Sequence, residues 1–246
     1  MKALITNDDG IDSPGLAALA RGAVAHGWQV VVAAPARESS GTSAGLTAAE
    51  DERRVEVERR SLPGLAGVPA YAVAAHPGLI ALVASQGAFG EPPDVVLSGV
   101  NRGANVGRAV LHSGTVGAAL TAAINGARAL AVSLDVGLEP GDLLHWDTAV
   151  TVAAGLFDRL AELPPGVTLN LNVPNRPESG PPRTAGLAEF GMVRSRVKET
   201  DDGSIRLTTV VVEGELTPGS DAALLAEGHA TLTALRSVAE DPDVRL

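Results

Sequence analysis

The chain has no cysteine, which excludes disulfides, thiolate metal sites and cysteine nucleophiles. Aromatic side chains are nearly as scarce: Trp28, Trp146, Tyr71, Phe89, Phe157 and Phe190 are the six among 246 residues. Basic charge is thin as well, with 19 Lys and Arg against 29 Asp and Glu and a formal net charge of −10. A nucleic-acid binder wants a basic stripe interleaved with stacking aromatics, so a nucleic-acid polymer is not the expected partner. No uninterrupted apolar run approaches the roughly 20 residues that span a bilayer, so no membrane is expected either. Lys2-Ala3-Leu4-Ile5-Thr6 runs straight into two aspartates without signal-peptide architecture, and the expected location is cytoplasmic. Apolar residues nevertheless make up 45% of the chain, mostly Ala, Val and Leu, enough for one large globular domain with an appendage.

The order of elements sets the fold class. Lys2–Thr6 reads as a buried strand, and Leu16, Leu19, Ala20 and Val24 recur at helical spacing before Gly27. Gln29–Ala34 is a second, continuously apolar strand. Strand, helix and strand with apolar strands indicate an α/β fold with a mainly parallel sheet covered on both faces. Further strands are predicted over Arg53–Arg60, Ala70–Ala74, Asp94–Ser98, Ala129–Leu134 and Val167–Val173, and helices over Gly78–Gln86, Thr115–Asn125 and Trp146–Leu160. Prolines and glycines crowd Pro174–Pro182. Two β-like segments, Met192–Glu199 and Ser204–Glu213, then flank Asp201-Asp202-Gly203, a hairpin signal. The expected organisation is a core over residues 1–174. Residues 175–246 form an excursion, a hairpin suited to subunit contact, with a terminal helix and strand returning to the core.

Three polar clusters each lie just past a predicted strand: Asn7-Asp8-Asp9-Gly10, Arg37 to Ser43, and Ser98-Gly99-Val100-Asn101-Arg102-Gly103 running on to His112-Ser113-Gly114-Thr115. In an open parallel sheet the loops after the strands share one rim, so clusters far apart in sequence can converge on one crevice. Adjacent carboxylates at the mouth of a buried sheet repel each other unless a cation offsets them. The surrounding donors are hydroxyls and amides, which suit Mg²⁺, Mn²⁺ or Ca²⁺ better than zinc. Capping of the helix near Pro14 is the competing role for Asp8 and Asp9. Ser113-Gly114-Thr115 opens an alanine-rich helix, a place where free N–H groups and the helix dipole suit a phosphate, though an N-cap serine alone explains it too. The glycines at 99, 103 and 107 favour a loop that lets backbone approach a ligand. There is no Gly-Lys-Ser/Thr and no G-x-G-x-x-G after the first strand, which sets aside P-loop and dinucleotide-binding readings.

Long motifs in order resemble the SurE (stationary-phase survival protein) family of metal-dependent nucleotidases. They are Thr6-Asn7-Asp8-Asp9-Gly10-Ile11 with Pro14-Gly15, Ala34-Pro35 through Arg37 with Ser40-Gly41, and Leu97 to Gly107 leading into Ser113-Gly114-Thr115-Val116-Gly117. Ala131-Val132-Ser133-Leu134, Leu169 to Pro174, Asp221 and Glu227-Gly228 also match, so the similarity covers nearly the whole chain. The resemblance implies a Rossmann-like three-layer sandwich, assembled as a homodimer or homotetramer through a C-terminal extension. It implies hydrolysis of nucleoside 5′- or 3′-monophosphates with one divalent ion per subunit, Mg²⁺ or Mn²⁺. The implied metal ligands are Asp8, Asp9, Ser40 and Asn101. The implied phosphate contacts are Asn101, Ser113, Gly114 and Thr115, and the catalytic residues Asp8, Asp9 and Asn101. Arg37, Arg102 and Arg108 are candidates to supplement the local positive field.

The chain departs from the family pattern at Arg108-Ala109, where many members carry two acidic residues. It departs again at His112 in place of tyrosine, Thr121 in place of glutamate, and Ala75-His76-Pro77-Gly78-Leu79 in place of Gly-Thr-Pro-x-Asp. Two other readings stay open: a non-catalytic nucleotide-binding protein of the same fold, and a phosphatase for a specialised metabolite.

Overall fold

The computed structural model describes residues 1–46, 54–137, 141, 143–189, 193–199, 205–211, 216–238 and 240. In chain order the elements are β1 (Lys2–Thr6), α1 (Pro14–Ala25), β2 (Gln29–Pro35), β3 (Val57–Arg60), β4 (Ala70–Val73), α2 (Pro77–Ser85) and β5 (Val95–Arg102). A short 3₁₀ helix (Gly107–His112) leads to α3 (Gly114–Ile124), β6 (Arg128–Asp135), α4 (Trp146–Ala154), α5 (Phe157–Glu162) and β7 (Thr168–Pro174). The remainder is β8 (Arg183–Thr184), β9 (Val193–Glu199), β10 (Ile205–Val211), α6 (Asp221–Ala226) and β11 (Thr231–Leu235). No helix among the described residues is long and apolar enough to cross a membrane.

The main sheet runs β3-β4-β2-β1-β5-β6-β7-β11-β8. Pairings from β4 through β7 are parallel, and β3 and β11 join antiparallel. Strand alternation sends successive side chains to opposite faces. Ile5 and Leu97 therefore join Leu16, Leu19, Ala149 and Phe157 of α1, α4 and α5, while Leu4 and Val96 join Ile80, Ala81, Val116 and Ala119 of α2 and α3. The result is the expected Rossmann-like three-layer sandwich. Its α2–α3 side is built largely of alanine, so the helices there lie close to the sheet. The chain leaves β1 towards β2 on one side and later places β5 on the other. Crevices open at such a reversal of strand order, outside the carboxyl ends of the strands.

The strand expected over Arg53–Arg60 shortens to Val57–Arg60, and three further differences from the sequence expectation shape the core and the rim. The strand expected over Asp94–Ser98 continues to Arg102, because the glycines following Ser98 form a bulge within the strand. Three steps along β5, from Ser98 to Asn101, face two along β6, from Ala131 to Ser133. Gly99 takes φ +141°, a conformation that side-chain-bearing residues rarely adopt. The extra residue reverses the alternation, so Val100 packs with the α1 face although Val96 packs with the α3 face. The helix expected over Trp146–Leu160 breaks after Ala154 into α4 and α5. Gly155 is a poor helix former, and the break turns Phe157 into the core, where it stacks on Trp28 at 4.7 Å between ring centroids. A third difference is the 3₁₀ helix over Gly107–His112, within a stretch read as loop.

Beyond Pro174 the chain rejoins the main sheet through β8 and β11, and β9 and β10 pair antiparallel as a separate two-stranded ribbon. The turn expected at Asp201-Asp202-Gly203 lies outside the described residues. Asp221 at the start of α6 ties this region to the core. Its fully buried carboxylate accepts the N–H groups of Gly107 at 2.8 Å, Ala188 at 2.9 Å and Ala222 at 2.8 Å. Removing it leaves three buried donors without a partner, each costing about 1–3 kcal/mol. Asp221→Ala is therefore expected to lose about 3 kcal/mol or more of stability, read as a lower urea midpoint. Asp221→Asn, which keeps one acceptor oxygen, should lose less.

Candidate metal and phosphate site

Asp8 and Asp9 follow the last residue of β1 by two and three positions. An Asx turn fixes the loop: Gly10 N–H donates to Asn7 Oδ1 at 3.1 Å, and Asn7 Nδ2 donates to Gly10 O at 3.1 Å. Ser39 N–H donates to Asp8 O at 2.8 Å, which fastens the loop after β2 to the loop after β1. The β5 bulge delivers Asn101 to the same rim, where its Nδ2 donates to Gly103 O at 2.7 Å and so sets the direction of Oδ1. Asp8, Asp9, Ser40 and Asn101 line one pocket of about 370 Å³, together with Glu38, Arg102, Asn105, His112 and Ser113. Four oxygen-bearing residues from three separated segments thus meet in one crevice at the switch between β1 and β5.

Asp8 is buried, and the start of α3 lies against it. Thr115 Oγ1 donates to Asp8 Oδ1, and the Thr115 N–H also reaches the carboxylate. Gly114 makes this approach possible: a Cβ there would stand 2.9 Å from Asp8 Oδ2 and 3.0 Å from Thr42 Oγ1. Burial raises the pKa of Asp8 above the usual carboxylate value, with the Thr115 hydrogen bonds opposing it. Asp9 is pushed up to about 6, first by burial and then by the charge of Asp8, against the Arg102 N–H that donates to Asp9 Oδ2 at 3.2 Å. Among the described residues neither carboxylate forms a salt bridge.

The two oxygens of Asp8 and Asp9 not engaged by Thr115 and Arg102, with Ser40 and Asn101 beside them, form an all-oxygen set. Hard divalent cations of the Mg²⁺ or Mn²⁺ kind prefer such a set. Among the described residues no three His, Asp or Glu gather at metal-binding range. Glu38 therefore stands outside a carboxylate trio, and the neutral oxygens of Ser40 and Asn101 would have to complete any coordination. By the chemistry of its donors the crevice fits the divalent ion that the sequence resemblance implies.

The expected phosphate contacts divide. Ser113 lines the pocket, but its Oγ caps α3 by accepting Val116 N–H at 3.1 Å. Thr115 is fully buried and turns both its hydroxyl and its N–H to Asp8. Gly114 is buried against Asp8 and is not among the residues that line the pocket, which leaves its N–H at the helix start and the helix dipole as what α3 can offer an anion. Of the three candidate arginines Arg102 lines the pocket, Arg37 lines a neighbouring hollow, and Arg108 lies on the exposed surface with its N–H on Ala188 O at 3.1 Å. Thr121 sits away from the pocket, its hydroxyl returned to Gly117 O at 2.8 Å.

Sequence reasoning assigned no role to four participants. Glu38 lines the pocket and accepts the Ser40 hydroxyl at 2.9 Å. Asn105 lines it while donating from Nδ2 to Ser133 Oγ at 2.9 Å. Asn172 holds Asn105 from below, accepting its N–H at 2.8 Å and donating to its carbonyl at 2.9 Å, and Asn170 donates to the same carbonyl at 2.8 Å. The available signal was Asn170 and Asn172 recurring with period two in an otherwise apolar strand.

The raised pKa of Asp9 has a definite sign for stability. In the metal-free chain the folded state holds Asp9's proton more tightly than the unfolded state, so this contribution is complete below about pH 4 and is lost as pH rises through about 6. Asp9→Asn, which cannot ionise, is expected to match the wild type near pH 4 and to exceed it increasingly up to pH 7 or so. Urea midpoints of chelator-treated proteins across that range test this. A gap that stays constant with pH contradicts it.

The family model described as Survival protein SurE matches residues 3–195. A protein named 5′-nucleotidase SurE from Solidesulfovibrio magneticus is 38% identical over 247 residues, covering 96% of this chain and 91% of its own. A protein of the same name from Methanothermobacter thermautotrophicus is 41% identical over 201 residues, covering 77% of this chain and 74% of its own. Among solved structures, the crystal structure of the SurE protein from Aquifex aeolicus superposes with a TM-score of 0.73 at 26% identity, covering 96% of this chain and 93% of that one.

Proposed function

Because the chain belongs to the SurE family, we propose that it hydrolyses nucleoside 5′- or 3′-monophosphates to nucleoside and phosphate at the crevice where Asp8, Asp9, Ser40 and Asn101 meet. That convergence from three segments of the chain carries the reading. The names of the relatives add the substrate class. Asp8, Asp9, Ser40 and Asn101 would hold one Mg²⁺ or Mn²⁺. Bound there, the ion supplies Lewis-acid polarisation of the phosphoryl group and offsets its charge.

The remaining work falls to the chain itself. Thr115 holds Asp8 in one orientation through its hydroxyl and N–H. The Arg102 N–H does the same for one oxygen of Asp9. The Gly114 N–H, at the positive end of α3, receives a phosphoryl oxygen as charge spreads over the equatorial positions. Asn101 spends one N–H of Nδ2 on Gly103 and has the other for the phosphate. Attack of a water oxygen on phosphorus breaks the ester P–O bond, and the water's proton passes to the Asp8–Asp9 pair. Water then protonates the departing sugar oxygen.

The active form would be a dimer or tetramer in the cytoplasm, with the β9–β10 ribbon at the subunit contact. Among the described residues that ribbon pairs with no strand of the main sheet.

Release of inorganic phosphate from a panel of nucleoside monophosphates, with Mg²⁺ or Mn²⁺ and then with EDTA, tests the function. Turnover should require the ion, fall at least 100-fold in Asp8→Ala, and fall in Asn101→Ala with the protein still folded. Nucleotide binding without turnover of any phosphomonoester would show a binding protein instead. Turnover confined to one unusual ester would show a specialised phosphatase.

A further inference from the structure

A second hollow, of about 550 Å³, adjoins the crevice and takes no part in the chemistry above. The two share a wall. Glu38 lines both, Ser40 and Gly41 face the crevice, and Arg37 and Ser39 face the hollow. A molecule whose phosphate lies in the crevice therefore has space for its remaining portion across the Arg37–Gly41 loop. The hollow differs in chemistry from the crevice. Its floor is Pro35, Val73, Ala74 and Ala75 at the ends of β2 and β4, and His76 stands at one side. Backbone bonds from Ala36 N–H to Val73 O at 2.8 Å and from Ala74 N–H to Glu56 O at 2.9 Å tie these segments together. The charged groups at its rim are two carboxylates, Glu38 and Glu56, against one guanidinium, Arg37.

We infer that this hollow is the subsite for the nucleobase, and that Glu56 and His76 recognise it. The inference rests on the nucleotidase reading for the identity of the ligand, but the hollow's chemistry points the same way. Apolar lining residues beside an imidazole suit a heteroaromatic ring, which can stack on such a side chain. Carboxylates accept and do not donate, so a rim with Glu38 and Glu56 favours a base that offers N–H donors. Guanine, with a ring N–H beside an exocyclic amino group, presents two donors side by side to one carboxylate. Hypoxanthine keeps the ring N–H and lacks the amino group. A second phosphate is a poor occupant, since the carboxylates outnumber the single arginine. His76 is available for stacking because it precedes α2 without capping it through its side chain, and replacing it removes no cap.

Saturation-transfer NMR with the nucleosides guanosine and inosine, together with their titration into the full chain, reads this subsite without the phosphate. Guanosine should bind several-fold more tightly than inosine. His76→Ala should weaken both by roughly tenfold, and Glu56→Gln should remove most of the difference between them. In turnover, the ratio of kcat/KM for guanosine monophosphate to that for ribose 5-phosphate should fall in both variants. The subsite is overturned if neither nucleoside binds saturably, or if both variants bind guanosine as the wild type does. Failure of the protein to hydrolyse any phosphomonoester would sink the nucleotidase reading, and the nucleoside titration would still decide on the hollow.

Discussion

Two neighbouring carboxylates, Asp8 buried and Asp9 partly so, sit just past the end of a central strand, and their own segment compensates them only in part. Asp8 and Asp9 are opposed by burial and, at Asp9, by each other's charge. The groups that answer this are dipoles delivered from far along the chain. Thr115 bonds to Asp8 across 107 positions, and the Arg102 N–H bonds to Asp9 across 93. For those dipoles to arrive, β5 must lie beside β1, α3 must begin at the rim, and Gly114 must lack a side chain. A buried hydrogen bond to a charged group is worth more than a neutral one, and more still is lost when its partner is missing. The sheet order and the helix start are thus tied to one local electrostatic need.

A further set of polar contacts shows how the rest of the chain serves the rim. Asn170 and Asn172 are fully buried in β7, where apolar side chains would pack more simply. Both grip the backbone of Asn105. Two residues further on, Asp221 grips Gly107. The segment between β5 and α3 is therefore pinned from β7 and from α6, and it presents its side chains at a fixed height above the sheet. The region beyond Pro174 is not an independent appendage in this respect. One of its carboxylates sets where the 3₁₀ helix starts, and that helix ends at His112 and Ser113 on the pocket wall.

Much of this could be read from residues alone, and the parts that could not share a cause. The parallel core followed from apolar β-branched runs separated by helical spacing, because both signals are local. The metal-ligand candidates followed from a rule about rims and from family resemblance. What escaped depended on contacts between distant segments. Glycines after Ser98 read as loop because a bulge and a loop look alike until the partner strand is known. Trp146–Leu160 kept its helical period through a break set by Phe157 finding Trp28, more than a hundred residues away. Thr115 is the clearest case. Its place at a helix start suggested a phosphate contact, whereas its hydroxyl and N–H both face Asp8. A single sequence carries no sign of which anion a helix terminus will meet.

This assignment of Thr115 bears on how a protein of net charge −10 receives a phosphate dianion. Charges beyond about 10 Å are largely screened at ordinary salt, so the lining of the crevice matters more than the total. That lining has three carboxylates, Asp8, Asp9 and Glu38, against the one guanidinium of Arg102. Part of the helix dipole that would attract the phosphate is already satisfied by Asp8. Without a bound cation the crevice repels the substrate proposed for it. With a divalent ion held by Asp8, Asp9, Ser40 and Asn101, the fully ionised lining would come to neutrality, and the positive end of the α3 dipole would no longer be outweighed. In the proposed mechanism the ion is therefore needed for substrate entry as well as for the chemical step. Weakened phosphate binding and lost turnover should then appear together when the ion is withdrawn, which sets this site apart from one where arginines hold the phosphate and the ion acts only at the bond that breaks.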